Sequence, residues 1–360
     1  MKPPDYTGGS LVNLVAELEG RLGGRPLLPG LRAPLAEEVP SADTYVLVLF
    51  DGLGASQLEH PAAALSVDAV GAIDAPFPTT TTVSLATVAT GLPPSQHGLL
   101  GYQLWMPEVE HVANTIKWTT LWGEKLDIDT AGLLPGPNLW ERLQQSGAEP
   151  ITVQPGNFAG SPLSEALYRG CRYEPVFTVD ETIGATADLA AEPGRLIFTY
   201  VPHVDFAAHV YGQQASEYAE ALQTASAIWE GIARRLPAAA VMVGTADHGH
   251  VDFPAAQQIR IPKDLEDDHT FYGDSRAMFV KGDESPAFAP LPASWIPLEE
   301  IADWWGPGPR HEQFEARAPD GVLLADHDAI LLHSHSDKRL IGHHGGLTDQ
   351  ERLVPLLVSG

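Results

Sequence analysis

The sequence predicts an α/β fold: a doubly wound, mostly parallel central sheet with helices on both faces, plus a smaller cap or insertion. Three observations carry this. Four nearly continuous apolar runs, at residues 45–50, 150–153, 196–201 and 240–245, have the character of strands buried on both faces, as in a parallel sheet. Helical segments lie between them, so strand and helix alternate along the chain. Three of the four runs end in a short acid-bearing string, and in open α/β sheets ligands bind beyond the carboxyl ends of the strands.

The first element is an amphipathic helix over residues 10–22. Ser10 suits its N-cap, Leu11, Leu14, Val15, Leu18 and Leu22 form one apolar stripe, and Gly23-Gly24 stops it. The strand at 45–50 follows and runs into Asp51-Gly52. A helix over 83–90 closes at Gly91, with Pro93-Pro94 beyond it, and another helix spans 137–145. Strands at 150–153 and 196–201, a helix over 216–236 and the strand at 240–245 complete the alternation. After residue 250 the pattern weakens. Residues 251–340 mix polar turns, a Pro-rich stretch at 286–292 and short strands at 277–281 and 329–332, which reads as the cap. The core is then residues 1–250 together with 341–360. A last strand spans 353–358, and Pro355 within it implies an irregular start or a place near a sheet edge.

Composition narrows the function. In 360 residues, 21 Lys+Arg stand against 47 Asp+Glu, a formal net charge of −26. Nucleic-acid binding by phosphate neutralisation needs a basic surface, and so does adhesion to an anionic membrane, so neither partner is expected. With 44% hydrophobic and 19% charged residues the chain is a folded globule, long enough for one large domain or a core with a subdomain. One cysteine, Cys171, rules out an intramolecular disulfide framework and a multi-Cys zinc site. No apolar leader opens the sequence, and no stretch approaches the roughly 18 apolar residues of a membrane span, so a cytoplasmic location is expected. The 14 histidines are the unusual feature.

Carboxylates and histidines meet where the predicted strands end. Asp51 follows the first strand, Asp205 and His209 follow the run at 196–201, and Asp247-His248-Gly249 follows the run at 240–245. The i,i+4 spacing of Asp205 and His209 puts both on one face if a helix starts there. Carboxylate and neutral imidazole together are oxygen and nitrogen ligands for a divalent metal such as zinc. Any one of these strings is explained by a turn or a helix cap; three of them at strand ends are not. A fourth string, Thr79-Thr80-Thr81-Thr82, precedes the helix that closes at Gly91. A hydroxyl at a helix N-terminus faces backbone N–H groups and the positive dipole end, a seat for phosphate. A threonine hydroxyl becomes a nucleophile only when a base or metal activates it, which a metal site would supply.

These residues resemble the alkaline phosphatase superfamily, specifically its type I phosphodiesterase/nucleotide pyrophosphatase-like branch. The resemblance runs in order through Phe50-Asp51-Gly52, Pro78-Thr79-Thr80-Thr81, Thr90-Gly91-Leu92-Pro93-Pro94-Ser95-Gln96-His97-Gly98, Asp205-x-x-x-His209, Thr245-Ala246-Asp247-His248-Gly249 and His344-Gly345-Gly346. Residues 251–340 contain no string that matches it. The resemblance implies two divalent metal ions, one held by Asp51, Asp247 and His248 with the nucleophile hydroxyl, the other by Asp205, His209 and His344. It places the nucleophile at Thr81, counted back from Thr90-Gly91, and prefers His344 to its rival His343. His97 is expected to be structural. Zinc is the first choice on ligand type, with manganese or iron as alternatives.

Two departures bear on the substrate. Nucleotide pyrophosphatases carry a base-stacking Phe just after the nucleophile, where this chain has Thr82, and an Asn three residues after it, where this chain has Ser84. Ser84 can still donate one hydrogen bond to substrate, and Tyr102, Trp105 or Tyr168 would have to replace the stacking ring. The expected activity is metal-dependent hydrolysis of a small anionic phosphate ester, a phosphodiester or pyrophosphate, through Thr81. The alternatives are a phosphomonoesterase or phosphonate hydrolase of the same superfamily, and a metal-stabilised binding protein without turnover. The sulfatase string Cys/Ser-x-Pro-x-Arg is absent. Oligomeric state is left open.

Overall fold

The computed structural model describes residues 2–130 and 132–360. Its centre is a seven-stranded sheet of strands β1 (Thr44–Phe50), β2 (Ala69–Asp74), β3 (Glu149–Pro155), β4 (Arg172–Val176), β5 (Arg195–Val201), β6 (Ala240–Thr245) and β7 (Leu353–Ser359). Their spatial order is β2-β7-β6-β1-β5-β3-β4. β1 pairs in parallel with β5 and β6, and β3 in parallel with β4 and β5. Every residue of β1 and β6 is buried, which is why those two runs are apolar without alternation. β2 and β4 lie at the two edges, are only partly buried, and so carry no such run; the sequence pattern passes over both.

The longest helices are α1 (Leu11–Arg21), α2 (Thr81–Thr90), α3 (Leu139–Gln145), α4 (Val179–Leu189), α5 (His203–Tyr211) and α6 (Ser216–Ala233). Trp229 of α6 packs on Phe50 at 6.2 Å between ring centroids, and Trp140 of α3 on Phe198 at 6.1 Å, both inside the main core. α2 begins two residues before the predicted start, because Thr80 is the last extended residue (φ −142°, ψ 146°) and Thr81 the first helical one. It ends as predicted at Gly91, whose φ of 67° is left-handed. α3 starts later than predicted, at Leu139, because the Asn138 side chain accepts a hydrogen bond from the Glu141 N–H and caps it. α6 stops at Ala233, short of residue 236.

The last strand starts irregularly and lies next to an edge strand, as its proline implied. β7 lies inside the sheet between β2 and β6, and antiparallel to both. Pro355 is tolerated there for a local reason. It pairs across to Ala72 of β2, while pairing with β6 begins only at Leu357, so at Pro355 the strand has one neighbour.

Residues 251–340 carry a four-stranded antiparallel sheet formed by Thr270–Gly273, Ala277–Lys281, Gly321–Ala325 and Ala293–Pro297. Strand periodicity lets it serve two cores at once. Met278 and Val280 join a local cluster with Phe271, Phe288 and Leu323, while Ala277 and Phe279 join the main core. The predicted strand at 329–332 is Ile330–Leu332, paired in parallel with Gln258–Arg260. Among the described residues no helix is long and apolar enough to cross a membrane.

Candidate metal and phosphoryl site

The sheet brings the predicted site residues together from five separate stretches of chain. Asp51 stands one residue past β1, its N–H still bonded to the Val201 carbonyl of β5 at 3.0 Å. The Asp51 carbonyl in turn accepts from the Asp205 N–H at 2.9 Å, which locks the start of α5 against the end of β1. Asp205 and His209 lie one turn apart on α5, with Oδ1 and Nε2 3.4 Å apart. Asp247 and His248 follow β6, and His344 follows the short strand Gly342–His343. Thr81 is the first residue of α2, so its hydroxyl sits at the positive end of a ten-residue helix.

Two clusters result. Asp51, Asp247 and His248 offer ligand atoms within 4.8 Å of one another, and so do Asp205, His209, His250 and His344. Thr81 Oγ1 lies 3.4 Å from Asp51 Oδ1 and 3.2 Å from His248 Nε2, at the edge of the first cluster.

The hydrogen bonds behind these side chains decide what the clusters can hold. His209 Nδ1 faces the Gly342 carbonyl at 2.6 Å, His344 Nδ1 the Thr79 carbonyl at 2.8 Å, and His248 Nδ1 the Gly249 carbonyl at 3.2 Å. A carbonyl only accepts, so each Nδ1 carries the proton and each neutral ring presents a bare Nε2. The bare Nε2 atoms of His209 and His344 then face each other at 3.2 Å. That of His248 faces Asp247 Oδ2 at 3.4 Å and Asp51 Oδ1 at 3.6 Å. Asp247 Oδ1 already takes two backbone N–H groups, from Gly52 and His248, while its Oδ2 is buried with no hydrogen-bond partner. These are convergent acceptors without donors, and a cation is what satisfies them.

The electrostatics agree. Burial, then the neighbouring Asp205 and Asp247 charges, push the Asp51 carboxyl well above its usual range. Burial acts the same way on Asp205, but His209 and His250 outweigh it and the net shift is well downward. Burial, then His248 and His209, hold His344 well below the ordinary imidazole range, so its ring is neutral and fit to ligate. The Tyr200 hydroxyl donates to Asp51 Oδ2, fixing that carboxylate from behind.

His250 is the site residue that sequence reasoning missed. Its Nε2 lies 2.8 Å from Asp205 Oδ1. No carbonyl faces its Nδ1, which is buried without a partner. Its ring therefore donates Nε2–H to the carboxylate, unlike the rings of His209, His248 and His344, and holds Asp205 in place. The signal was present in the string Asp247-His248-Gly249-His250, but nothing in the spacing says that residue 250 returns to Asp205. Gly52 makes the approach possible: its φ is 74°, and a Cβ there would meet His250 Nε2 at 2.7 Å and the Asp205 Cα at 2.8 Å.

Each threonine of the run has its own task. Thr79 Oγ1 donates to the Gly346 carbonyl and accepts from the Gly345 N–H, which pins the loop that carries His344. Thr80 reaches Asp274. Thr82 is buried and accepts from Thr115 Oγ1 at 3.0 Å. Thr81 is left facing the clusters.

Other expected residues sort clearly. Ser84 does not face substrate: it is fully buried, and its hydroxyl donates to the Asp247 carbonyl at 2.8 Å, so it braces a ligand loop. His343 turns away, its Nδ1 2.9 Å from the Ser275 hydroxyl, and joins neither cluster. His97 is buried against Thr87 and the Leu99 N–H, and burial followed by His311 pushes its pKa down to about 3, as suits a structural residue. Tyr168 packs in the core against Trp140 and Phe198 and cannot stack on a ligand. Tyr102 lines the cavity of about 330 Å³ that opens on Thr81, Asp205, His209 and His344. Trp105 lines an adjoining cavity that shares His333 and His335 with it.

A mostly parallel sheet with carboxylates and imidazoles gathered at its carboxyl end is the arrangement of the alkaline phosphatase superfamily. Within it, the chain belongs to the type I phosphodiesterase/nucleotide pyrophosphatase family, whose model matches residues 45–347. By that membership it is a hydrolase of phosphoester bonds. The fold is shared with solved structures of low identity. Murine ectonucleotide pyrophosphatase/phosphodiesterase 5 superposes with a TM-score of 0.67 at 18% identity, covering 88% of each chain. An inactive threonine-to-alanine form of that murine protein, in complex with AMP, gives 0.65 at 18% identity over 88% of this chain and 87% of that one. Phosphonoacetate hydrolase from Sinorhizobium meliloti 1021, in complex with phosphonoacetate, gives 0.64 at 18% identity over 89% of this chain and 91% of that one. No curated protein matches the sequence.

Proposed function

We propose that the chain hydrolyses a small phosphodiester or phosphoanhydride with Thr81 as nucleophile and two divalent cations, zinc by preference. Asp51, Asp247 and His248 would hold one ion, and Asp205, His209 and His344 the other. The observation that carries this reading is the convergence of the bare Nε2 atoms of His209, His248 and His344 with carboxylate oxygens, among them the unpartnered Asp247 Oδ2, beside the Thr81 hydroxyl. Bound there, the ions supply Lewis-acid stabilisation of phosphoryl oxygens and an acidified hydroxyl and water. The rest belongs to the chain. Thr81 Oγ1 forms a bond to phosphorus in line with the departing ester oxygen, its proton passing to bulk solvent, and water later cleaves the phosphothreonine. The N-terminus of α2 directs its dipole at the phosphoryl group. The 330 Å³ cavity and the net charge of −26 favour a small substrate over a polynucleotide. A cytoplasmic setting belongs to the same reading, consistent with a single cysteine that has no partner to oxidise with.

The test is a panel of bis-p-nitrophenyl phosphate, p-nitrophenyl phosphate and phosphonoacetate, assayed with added zinc or manganese. The diester should be turned over fastest, and Thr81→Ala should keep both ions while turnover falls by more than about a thousandfold. Activity of the alanine variant within about tenfold of the parent would remove Thr81 from its role.

A further inference from the structure

One hairpin turn of the 251–340 segment forms part of the wall of the cavity that opens on the clusters. Between the strands Thr270–Gly273 and Ala277–Lys281, three consecutive residues reach the core. Asp274 approaches Thr80 at 3.4 Å, Ser275 meets His343 at 2.9 Å, and Arg276 pairs with the buried Glu351 at 3.2 Å. The Arg276–Glu351 pair anchors the turn, so Asp274 is held against Thr80, the neighbour of Thr81, by the fold. Its carboxyl lines the cavity that opens on Thr81, is 7% exposed, and has one oxygen, Oδ2, with no hydrogen-bond partner.

A buried carboxyl with an empty lone pair calls for a proton, a donor or a cation. The Thr80 hydroxyl donates to Oδ1, but Oδ2 has no donor and the protein sets no cation beside the carboxyl. No Lys or Arg is among the described residues that line it. Asp337, the other wall carboxylate outside the clusters, is already paired with Arg339 at 2.6 Å. His333 is neutral, because burial followed by His335 pushes its pKa down to about 4, and its Nε2 is engaged with Gln103. Asp274 itself is pushed up to about 7 by burial, the mark of a carboxyl that lacks a counter-charge.

Resting on the phosphodiesterase reading, we infer that Asp274 receives a positively charged ester arm of the substrate, which makes the substrate a zwitterionic phosphodiester bearing a protonated amine. The amine donates to the carboxyl while the phosphoryl group sits at Thr81. Overall charge points the same way. A molecule with a net charge of −26 repels an anionic diester at a distance, whereas a zwitterion with no net charge approaches without that penalty. A substrate with a carboxylate arm would set two like charges together in a buried wall and is disfavoured.

Three p-nitrophenyl diesters of matched size decide it, with 2-aminoethyl, n-propyl or 2-carboxyethyl as the second arm, each read by release of p-nitrophenolate from the metal-loaded enzyme. The aminoethyl ester should exceed the propyl ester by about tenfold in kcat/KM, mostly through KM, as one buried charged hydrogen bond allows, and the carboxyethyl ester should be the poorest. Asp274→Asn, which keeps the shape, should bring the aminoethyl-to-propyl ratio close to one. Equal rates for the aminoethyl and propyl esters in the parent enzyme would overturn the inference, and so would a ratio that survives in the variant. The parent ratio stands as a test even if the variant fails to fold. Failure of all three esters, and of bis-p-nitrophenyl phosphate, would instead overturn the phosphodiesterase reading itself.

Discussion

Thr81 and His250 mark the two ends of what single residues disclose. The sequence singles out Thr81 from its three neighbours by its distance from Thr90-Gly91, and the fold sets it beside Asp51 and His248. The partners of the other three, the Gly345-Gly346 loop, Asp274 and Thr115, lie far along the chain and leave no local trace. His250 was illegible for the same reason, since its partner Asp205 lies on another element. Its role has a measurable consequence. Removing a group that orients a ligand carboxylate costs about 10–100-fold in metal affinity, so His250→Ala should release one of the two ions at a correspondingly lower chelator concentration. The second ion, beside Asp51, should leave where it does in the parent. A chelator titration with a metal-sensitive dye reads both midpoints, and coincident curves for parent and variant would strip His250 of this function.

At the scale of elements, the strands that position the site were legible because they are buried on both faces. β1, β5 and β6 are apolar runs for the same reason that their ends are rigid enough to hold Asp51, Asp205 and Asp247. The edge strands β2 and β4 gave no such run, and in β7 the irregularity that Pro355 implied is the one stretch of the strand that lacks a second neighbour. Ser84 shows the complementary failure. Its place three residues beyond Thr81 suggested a substrate contact, whereas the helix turns that side chain inward to the Asp247 carbonyl. The turn after β1 is a crowded junction. Gly52→Ala would place a methyl group against His250 and the α5 backbone in a left-handed conformation, and should cost at least about 1 kcal/mol of stability. It should also weaken retention of the ion at Asp205 and His209. Thermal unfolding with and without zinc measures both effects, and a variant that matches the parent in both would refute the crowding argument.

For the whole molecule, the charge balance becomes a statement about kinetics. Acidic surface repels an anionic diester over about 30 Å at 10 mM salt, and that repulsion is screened as ionic strength rises. The kcat/KM for bis-p-nitrophenyl phosphate should therefore climb between about 10 mM and 500 mM salt, whereas that for an aminoethyl diester should stay nearly flat. Parallel salt curves for the two esters would count against charge as the selector.

The two clusters draw on chain from Asp51 to His344, and their side chains hang from loops or from the short helix His203–Tyr211. In polymer terms, filled clusters are cross-links that close long loops, and closing a long loop costs little more entropy than closing a short one. Ions held there would then act as knots in the chain. Their release would free the loops after β1 and β6, the start of α5 and the His344 loop together, so occupancy and conformational stability are a single linked equilibrium.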